Sequence, residues 1–171
     1  MITRIVQWLF PCFLTPKPDK ICFHVTCILH WLSRFVLAGI FLYSGYVKWE
    51  SPLLFEAVLY TYDLFPEALI PLIVRYFPWA EMALGLALLI GFRHGIRYLA
   101  GASALLLLFF IVILSITYFR GIEADCGCFG SGDPISPRTL ARDSLMLIPA
   151  LYLLFAGPLV RRRLKTANRA S

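Results

Sequence analysis

Charge is scarce in this sequence. Asp, Glu, Lys and Arg make up 15% of its 171 residues, where a typical soluble domain carries about 25%. Hydrophobic residues make up 60% and the mean hydropathy is +0.76. A soluble domain of this length could not hide that much apolar surface, so the composition excludes one and predicts an integral membrane protein built as one compact unit. A clustered basic patch is also lacking. The net charge of +6 comes from cations that flank apolar runs. That pattern belongs to topology determinants, so the bilayer is the expected partner and nucleic acid is not. No cleavable leader is expected either. The apolar start, Met1 to Phe10, is short, is broken by Pro11 and is followed by no small-residue cleavage site. Residues 1–27 therefore read as a retained interfacial or flexible segment, with Trp8, Phe10 and Phe13 suited to the membrane interface.

What the sequence has in abundance is long apolar runs. A helix needs about 20 mostly apolar residues to cross a bilayer. Runs of that kind predict spans at about 28–47, 67–91, 98–119 and 139–160, an all-α, integral membrane four-helix bundle over 28–160 with a basic tail at 161–171. The run at 67–91 is the least clean, because it holds Pro71, Arg75, Pro78 and Glu81. It predicts either a helix kinked at Pro78 or a short interfacial helix followed by a short span. Lys and Arg are concentrated at both ends of the chain and in the 91–97 loop, so both termini are expected to be cytoplasmic. The loops 48–66 and 120–137 then lie outside the inner membrane of a bacterium, in an oxidising compartment. The small-residue pairs Ala83/Ala87 and Ala100/Ala104 predict close packing between the second and third spans.

Few ionisable residues fall within these runs, and each needs a reason. A charge at the centre of a span costs roughly 2.5–3.5 kcal/mol on insertion scales. Arg34 lies close enough to a span end to snorkel. Glu81 has too short a side chain for that and demands a partner. Lys48, Arg142 and Asp143 lie at the same expected end of the bundle, and Lys48 with Glu81 forms a plausible ion pair. Between the first two spans, Ser51-Pro52 reads as a helix start, with serine as cap and proline in the first turn. Leu53, Leu54, Phe55, Val58 and Leu59 make that helix amphipathic, suited to lie on the outer face over the bundle.

The most chemical stretch is Asp125-Cys126-Gly127-Cys128-Phe129-Gly130, in a Gly- and Pro-rich loop between two apolar runs. A disulfide wants Cα atoms about 4.4–6.8 Å apart. Residues i and i+2 of an extended strand point to opposite faces, so this pair closes only if the backbone bends, and Gly127 permits a bend. A pair closed under strain is easily reduced. Arg120 and Arg138 are expected to favour a thiolate, and Asp125 to oppose them. A structural disulfide and a metal pair are the alternatives. The three histidines all lie on the inner side, away from this loop, so no metal site is predicted there. Cys12, Cys22 and Cys27, with His24 and His30, match no closed zinc spacing and read as packing residues.

Asp-Cys-Gly-Cys-Phe-Gly at 125–130, followed by Ser136-Pro137-Arg138-Thr139-Leu140-Ala141-Arg142-Asp143, resembles the MauE branch of the MauE/DoxX redox-associated membrane proteins. Arg34, Gly39, Phe41, Ser44-Gly45 and Lys48 in the first span, and Pro78-x-x-Glu81-x-x-x-Gly85 in the second, fit the same pattern. The resemblance covers about Trp31 to Leu159. It implies a four-helix membrane bundle in which Cys126 and Cys128 are the redox pair and a thioredoxin-like extracytoplasmic protein is the partner. It also implies a link to maturation of the disulfide-rich small subunit of methylamine dehydrogenase. DoxX relatives are associated with quinone-linked sulfur oxidation, which makes a quinone the candidate electron carrier, although no motif here names a cofactor. Two features depart from the pattern. Residues 1–30 look like an extension, and Asp143 stands where the family usually has asparagine.

The expected function is thiol–disulfide exchange at Cys126 and Cys128, with Lys48, Glu81, Arg142 and Asp143 as a supporting polar cluster. The rival of a different class is a non-catalytic assembly factor for a secreted redox enzyme, with the cysteines serving only to hold the loop. A solute transporter is a third reading, disfavoured because the spans show no paired set of broken helices.

Overall fold

The structure is a computed structural model. It describes the backbone of residues 20–90, 95–128, 130 and 133–169, and the side chains of 28–90, 95–128, 130 and 133–155. The chain is all-helical among the described residues, with helices α1 (Lys20–Glu50), α2 (Pro52–Tyr62), α3 (Ile70–Ile90), α4 (Ile96–Phe119) and α5 (Pro137–Arg169). A 3-10 turn, Glu67–Leu69, leads into α3.

Among the described residues, three helical stretches are long and apolar enough to cross a membrane: Ile28–Glu50, Glu67–Ile90 and Ile96–Phe119, the last with a mean hydropathy of 2.8. Their outward faces are apolar as well. Leu105, Phe109 and Val112 on α4, and Leu72, Tyr76 and Trp79 on α3, all point away from the protein. A water-soluble fold would not leave such faces bare, whereas lipid solvates them. Helix α1 begins at Lys20, before the expected start of its span, so the segment expected to be interfacial or flexible over 1–27 is helical from Lys20. Residues 1–19 and the side chains of Cys12, Cys22 and Cys27 lie outside the described residues. Helix α5 continues to Arg169, through the stretch expected to be a tail.

Helix α3 runs unbroken through Pro78, so the alternative of a separate interfacial helix before it does not form. Pro78 is buried where α3 meets α1. The contact depends on two glycines. A Cβ on Gly45 would lie 2.8 Å from the Pro78 carbonyl oxygen, and one on Gly85 would lie 3.0 Å from that of Ala38. Real side chains do not approach backbone that closely, so these positions let the two helix backbones touch. Ala83 takes no part in the expected packing on Ala100 and Ala104. Ala83 is exposed, while Ala100 and Ala104 pack with Ala150 and Leu153 of α5. The main core joins α1, α3, α4 and α5 through Leu37, Phe41, Leu88, Leu107 and Leu153.

Helix α2 lies across the other end of this core. Phe55, Leu59 and Tyr62 are its buried residues, at the spacing of one helical face. Phe55 and Leu59 pack with Ile70, Ile73, Val74 and Phe77 of α3. Pro52 occupies the first turn as expected, but Ser51 makes no side-chain cap bond. Ser136 does cap α5, its Oγ accepting from the Thr139 backbone N–H at 3.3 Å. Arg120 ties the end of α4 to the end of α2, donating to the Tyr62 and Asp63 carbonyls and pairing with the Asp63 carboxylate.

Candidate functional site

The cysteine loop is pinched into a small hairpin. The Cys126 N–H donates to the Asp133 carbonyl at 2.8 Å, and the Ile135 N–H to that of Ala124 at 2.9 Å. The expected bend is present: Gly127 has φ +67. It turns the backbone so that both cysteines point the same way, into the protein. A Cβ at Gly127 would also lie 3.0 Å from the Val58 side chain on α2, so the loop and α2 are in contact. The Tyr62 hydroxyl lies 2.9 and 2.8 Å from the carbonyl oxygens of Asp125 and Cys126, where it donates its hydrogen. Both thiols are free. Their residues are only 2% and 8% exposed, against Ile113 and Leu114 of α4 and beneath Tyr62. The sulfurs face the bundle.

Two groups from α5 flank the Cys126 sulfur. The Asp143 Oδ2 lies 3.5 Å from it and the Arg142 Nη2 lies 3.7 Å from it. Arg142 is held in place from both sides, by Asp133 Oδ2 at 2.5 Å and Asp143 Oδ1 at 3.0 Å. The two sulfurs and an Asp143 oxygen all lie within 4.8 Å of one another. These three could form part of a metal-binding set, but the guanidinium beside Cys126 opposes a cation there. Arg120 and Arg138 do not reach the thiols: Arg120 is committed to α2, and Arg138 is exposed.

The two thiols titrate as a unit with opposite tendencies. Cys126 is lowered from the ordinary thiol value, first by the hydrogen bond that Cys128 donates to it. Burial and the Asp143 carboxylate push it the other way, and Arg142 adds to the lowering. Cys128 is raised well above the ordinary value, because it is the donor in that bond and because it is buried. One proton therefore leaves early and one late, the signature of an interacting pair. Tyr62 stays a neutral phenol, its pKa raised by burial and by the neighbouring thiols.

A second buried cluster lies beside the first. Lys48 Nζ is 3.0 Å from Glu81 Oε2 and 3.3 Å from Oε1, and only the Oε1 contact has hydrogen-bond geometry. Both side chains are 1% exposed. Ser44 bridges them, accepting from Lys48 at 2.5 Å and donating to Glu81 Oε1 at 3.2 Å. The close approach at Gly45 and Gly85 brings these groups together across α1 and α3. The Lys48 ammonium also sits over the rings of Phe55 and Phe110, 5.6 and 5.4 Å from their centroids. The clusters share a small cavity of about 20 Å³, whose polar wall is Ser44, Glu81, Cys128 and Asp143. On the loop side, a groove of about 900 Å³ runs between α2 and the hairpin, with Lys48 in its lining.

A family model described as methylamine utilisation protein MauE matches residues 26–156. The chain belongs to the MauE family. The MauE match takes in both clusters and the hairpin, and with the apolar helices it makes the chain a multi-pass membrane protein. It does not extend to the DoxX relation expected from the sequence. No curated protein and no solved structure matches the chain.

The structure brings together the cysteine pair and the four residues expected to support it, but as two groups. Cys126, Cys128, Arg142 and Asp143 form one, and Lys48 with Glu81 the other. Sequence reasoning missed three members. Ser44 was visible only as part of the first-span pattern. Asp133 gave no signal beyond its place in the Gly-Asp-Pro turn, and Tyr62 looked like one more aromatic of the α2 helix.

Proposed function

We propose that this MauE-family chain is a membrane thiol–disulfide redox protein whose reactive pair is Cys126 and Cys128. The observation that carries the reading is the asymmetric pair: one buried thiol has a guanidinium 3.7 Å from its sulfur, and a second buried thiol lies within 4.8 Å of it. The thiolate is the nucleophile in exchange. Cys126 attacks a disulfide sulfur of a thioredoxin-like partner, forming a mixed disulfide and releasing one partner thiolate. Cys128 then loses its proton and attacks the Cys126 sulfur. The Cys126–Cys128 bond forms, the bond to the partner breaks, and the second partner thiolate leaves. The partner gains two electrons and the chain loses two; the same steps run in reverse.

The rest of the reading concerns placement. The cysteine end lies outside the bacterial inner membrane, both termini lie in the cytoplasm, and α5 completes a bundle of four spans. The support is the Lys and Arg bias of the loops and ends, together with the packing of α5 on α1 and α4. The groove between α2 and the hairpin gives a partner segment a way to the loop. Because the thiols are buried, exchange requires α2 and Tyr62 to lift from the hairpin. The family description names methylamine utilisation, which is the proposed setting of this chemistry, and a quinone is the carrier proposed for electrons on the membrane side.

Thiol trapping in membranes from cells expressing the chain tests the exchange. Cys128→Ser should accumulate a mixed disulfide that a reductant dissolves, and Cys126→Ser should not. If no mixed disulfide forms and a double Cys→Ala variant retains full function, the assembly-factor reading replaces this one.

A further inference from the structure

The mechanism above leaves one proton without a destination. Cys128 must become a thiolate before it can attack, yet it is buried and its tendency is to hold its proton. Asp143 lies within reach but is already occupied by Arg142 and by Cys126. On the other side of Cys128 is the small shared cavity. Its volume of about 20 Å³ exceeds the roughly 10–15 Å³ that a single water needs, and Glu81 Oε2 is a buried acceptor with no hydrogen-bond partner among the described residues. Across it stands Glu81 with Ser44.

We propose that Glu81 takes the Cys128 proton through one water in this cavity, and that Lys48 passes a proton on to the groove beside α2. This rests on the thiol-exchange reading. In the forward step, the Cys128 S–H bond breaks and the proton reaches the Glu81 carboxylate, which becomes a neutral acid. The Cys128 sulfur then displaces the partner from Cys126, so no oxidant beyond the partner disulfide is required. Neutral Glu81 leaves the Lys48 ammonium without its counter-ion, and the Phe55 and Phe110 rings hold the cation at that moment. Lys48 stands between the two places: its ammonium bonds Glu81 and Ser44 and is buried, while the residue belongs to the lining of the groove, so its exchange with groove water uses the same lifting of α2 that exposes the thiols. It gives one proton to groove water and takes the one on Glu81, which restores the ion pair.

The arrangement explains why the ion pair sits where it does. A pair buried only to join α1 to α3 has no need to face a thiol across a cavity. It also assigns Ser44 a role, as the hydroxyl that bridges acid and amine and shares the cavity wall.

The test uses the reduced full-length protein in nanodiscs, with an aromatic disulfide such as 5,5′-dithiobis(2-nitrobenzoate) in single turnover. Two thiolate releases are expected: a first from attack by Cys126, and a second from resolution by Cys128. Glu81→Gln should leave the first phase unchanged and slow the second by about 10-fold or more, since a positioned acid–base group contributes about 10²–10⁴-fold. The solvent isotope effect on the second phase should change with it. Because Glu81→Gln leaves a buried cation alone, the double variant Lys48→Met/Glu81→Gln serves as the folded control and should show the same slow second phase. A second phase at the wild-type rate in both variants overturns the relay while the first phase leaves exchange intact. The absence of both phases in the wild-type protein overturns exchange and the relay together.

Discussion

Helix α1 carries a buried cation at each end of the core, and the two are satisfied differently. Arg34 Nε donates to the Leu88 carbonyl, Nη2 donates to the Leu89 carbonyl at 3.1 Å, and the guanidinium lies 4.7 Å from the Trp31 ring centroid. These carbonyls are in the last turn of α3, where helix geometry leaves oxygens without partners and a cation is favoured. Arg34 was expected to snorkel towards water; it caps a helix instead. Its partners cannot titrate. Lys48, at the other end, faces a carboxylate that can, and that carboxylate shares a cavity with a thiol. A buried charge is costly at either place. At the Arg34 end the cost is met by fixed dipoles, which is what a structural joint needs. At the Lys48 end it is met by a group able to change its charge, which is what chemistry needs.

The largest expected effect separates the pair from its parts. Lys48→Met leaves Glu81 buried alone and should destabilise the protein by about 3–5 kcal/mol, as breaking one side of a buried pair does. Replacing both, as Lys48→Met/Glu81→Leu, should restore most of that stability, since apolar substitutes for a buried pair are often neutral. Unfolding in detergent micelles measures both variants. A double variant as unstable as the single one would show that the pair itself, and not the isolated charge, holds α1 to α3.

Arg34→Leu is the matching change at the other end. It leaves the Leu88 and Leu89 carbonyls without their donor and should cost about 2–3 kcal/mol, with the rate of thiol exchange unchanged. Unfolding and single-turnover exchange on the same preparation check it. Loss of exchange in a folded Arg34→Leu protein would erase the distinction between the two ends.

Much of this contrast was legible before the fold. Three spans followed from composition, because about 20 apolar residues in a row have few other uses. The Lys48–Glu81 pair followed from the shortness of the glutamate side chain, which leaves it no route to water. Helix partners were not legible in the same way. A small residue marks where a close approach is possible but not which neighbour makes it, and Ala83 turned out to face outward while Gly45 and Gly85 made the contact. The thiolate's cation was misassigned for a related reason. Arg120 and Arg138 are near the cysteines along the chain, but the hairpin folds back and the register of α5 brings Arg142 to the sulfur. Burial of the thiols depended on α2 crossing over the hairpin, which no local pattern reveals.

The two charges nearest Cys126 sharpen the contrast further, because they act in opposite directions. Arg142 favours the thiolate and Asp143 disfavours it. Arg142→Gln should therefore move the pH profile of Cys126 alkylation upward, and Asp143→Asn should move it downward. Iodoacetamide labelling of the reduced protein across a pH series, read by mass spectrometry at each cysteine, gives both shifts. Movement of both variants in the same direction would mean that Arg142 and Asp143 act only through the shape of the loop.

The smallest effect concerns the cover. Tyr62 gives the α2 helix a hydrogen bond to the loop backbone at Asp125 and Cys126, and a single such bond contributes about 0.5–1.5 kcal/mol net. Tyr62→Phe keeps the ring, and so keeps the packing on Leu114 and the cysteines. The change should shift global stability little. Its main consequence is on local opening, because the equilibrium between a closed and a lifted α2 changes by the full value of the bond. One kcal/mol is about a 5-fold change in that equilibrium, so alkylation of Cys126 at fixed pH should speed up by a few-fold if opening is what exposes the sulfur. Arg120 anchors the same end of α2 through the Tyr62 and Asp63 carbonyls, and Arg120→Gln should act in the same direction. Alkylation rates that stay at the wild-type value in both variants would mean that reagents, and by extension partners, reach the dithiol by a route that leaves α2 in place.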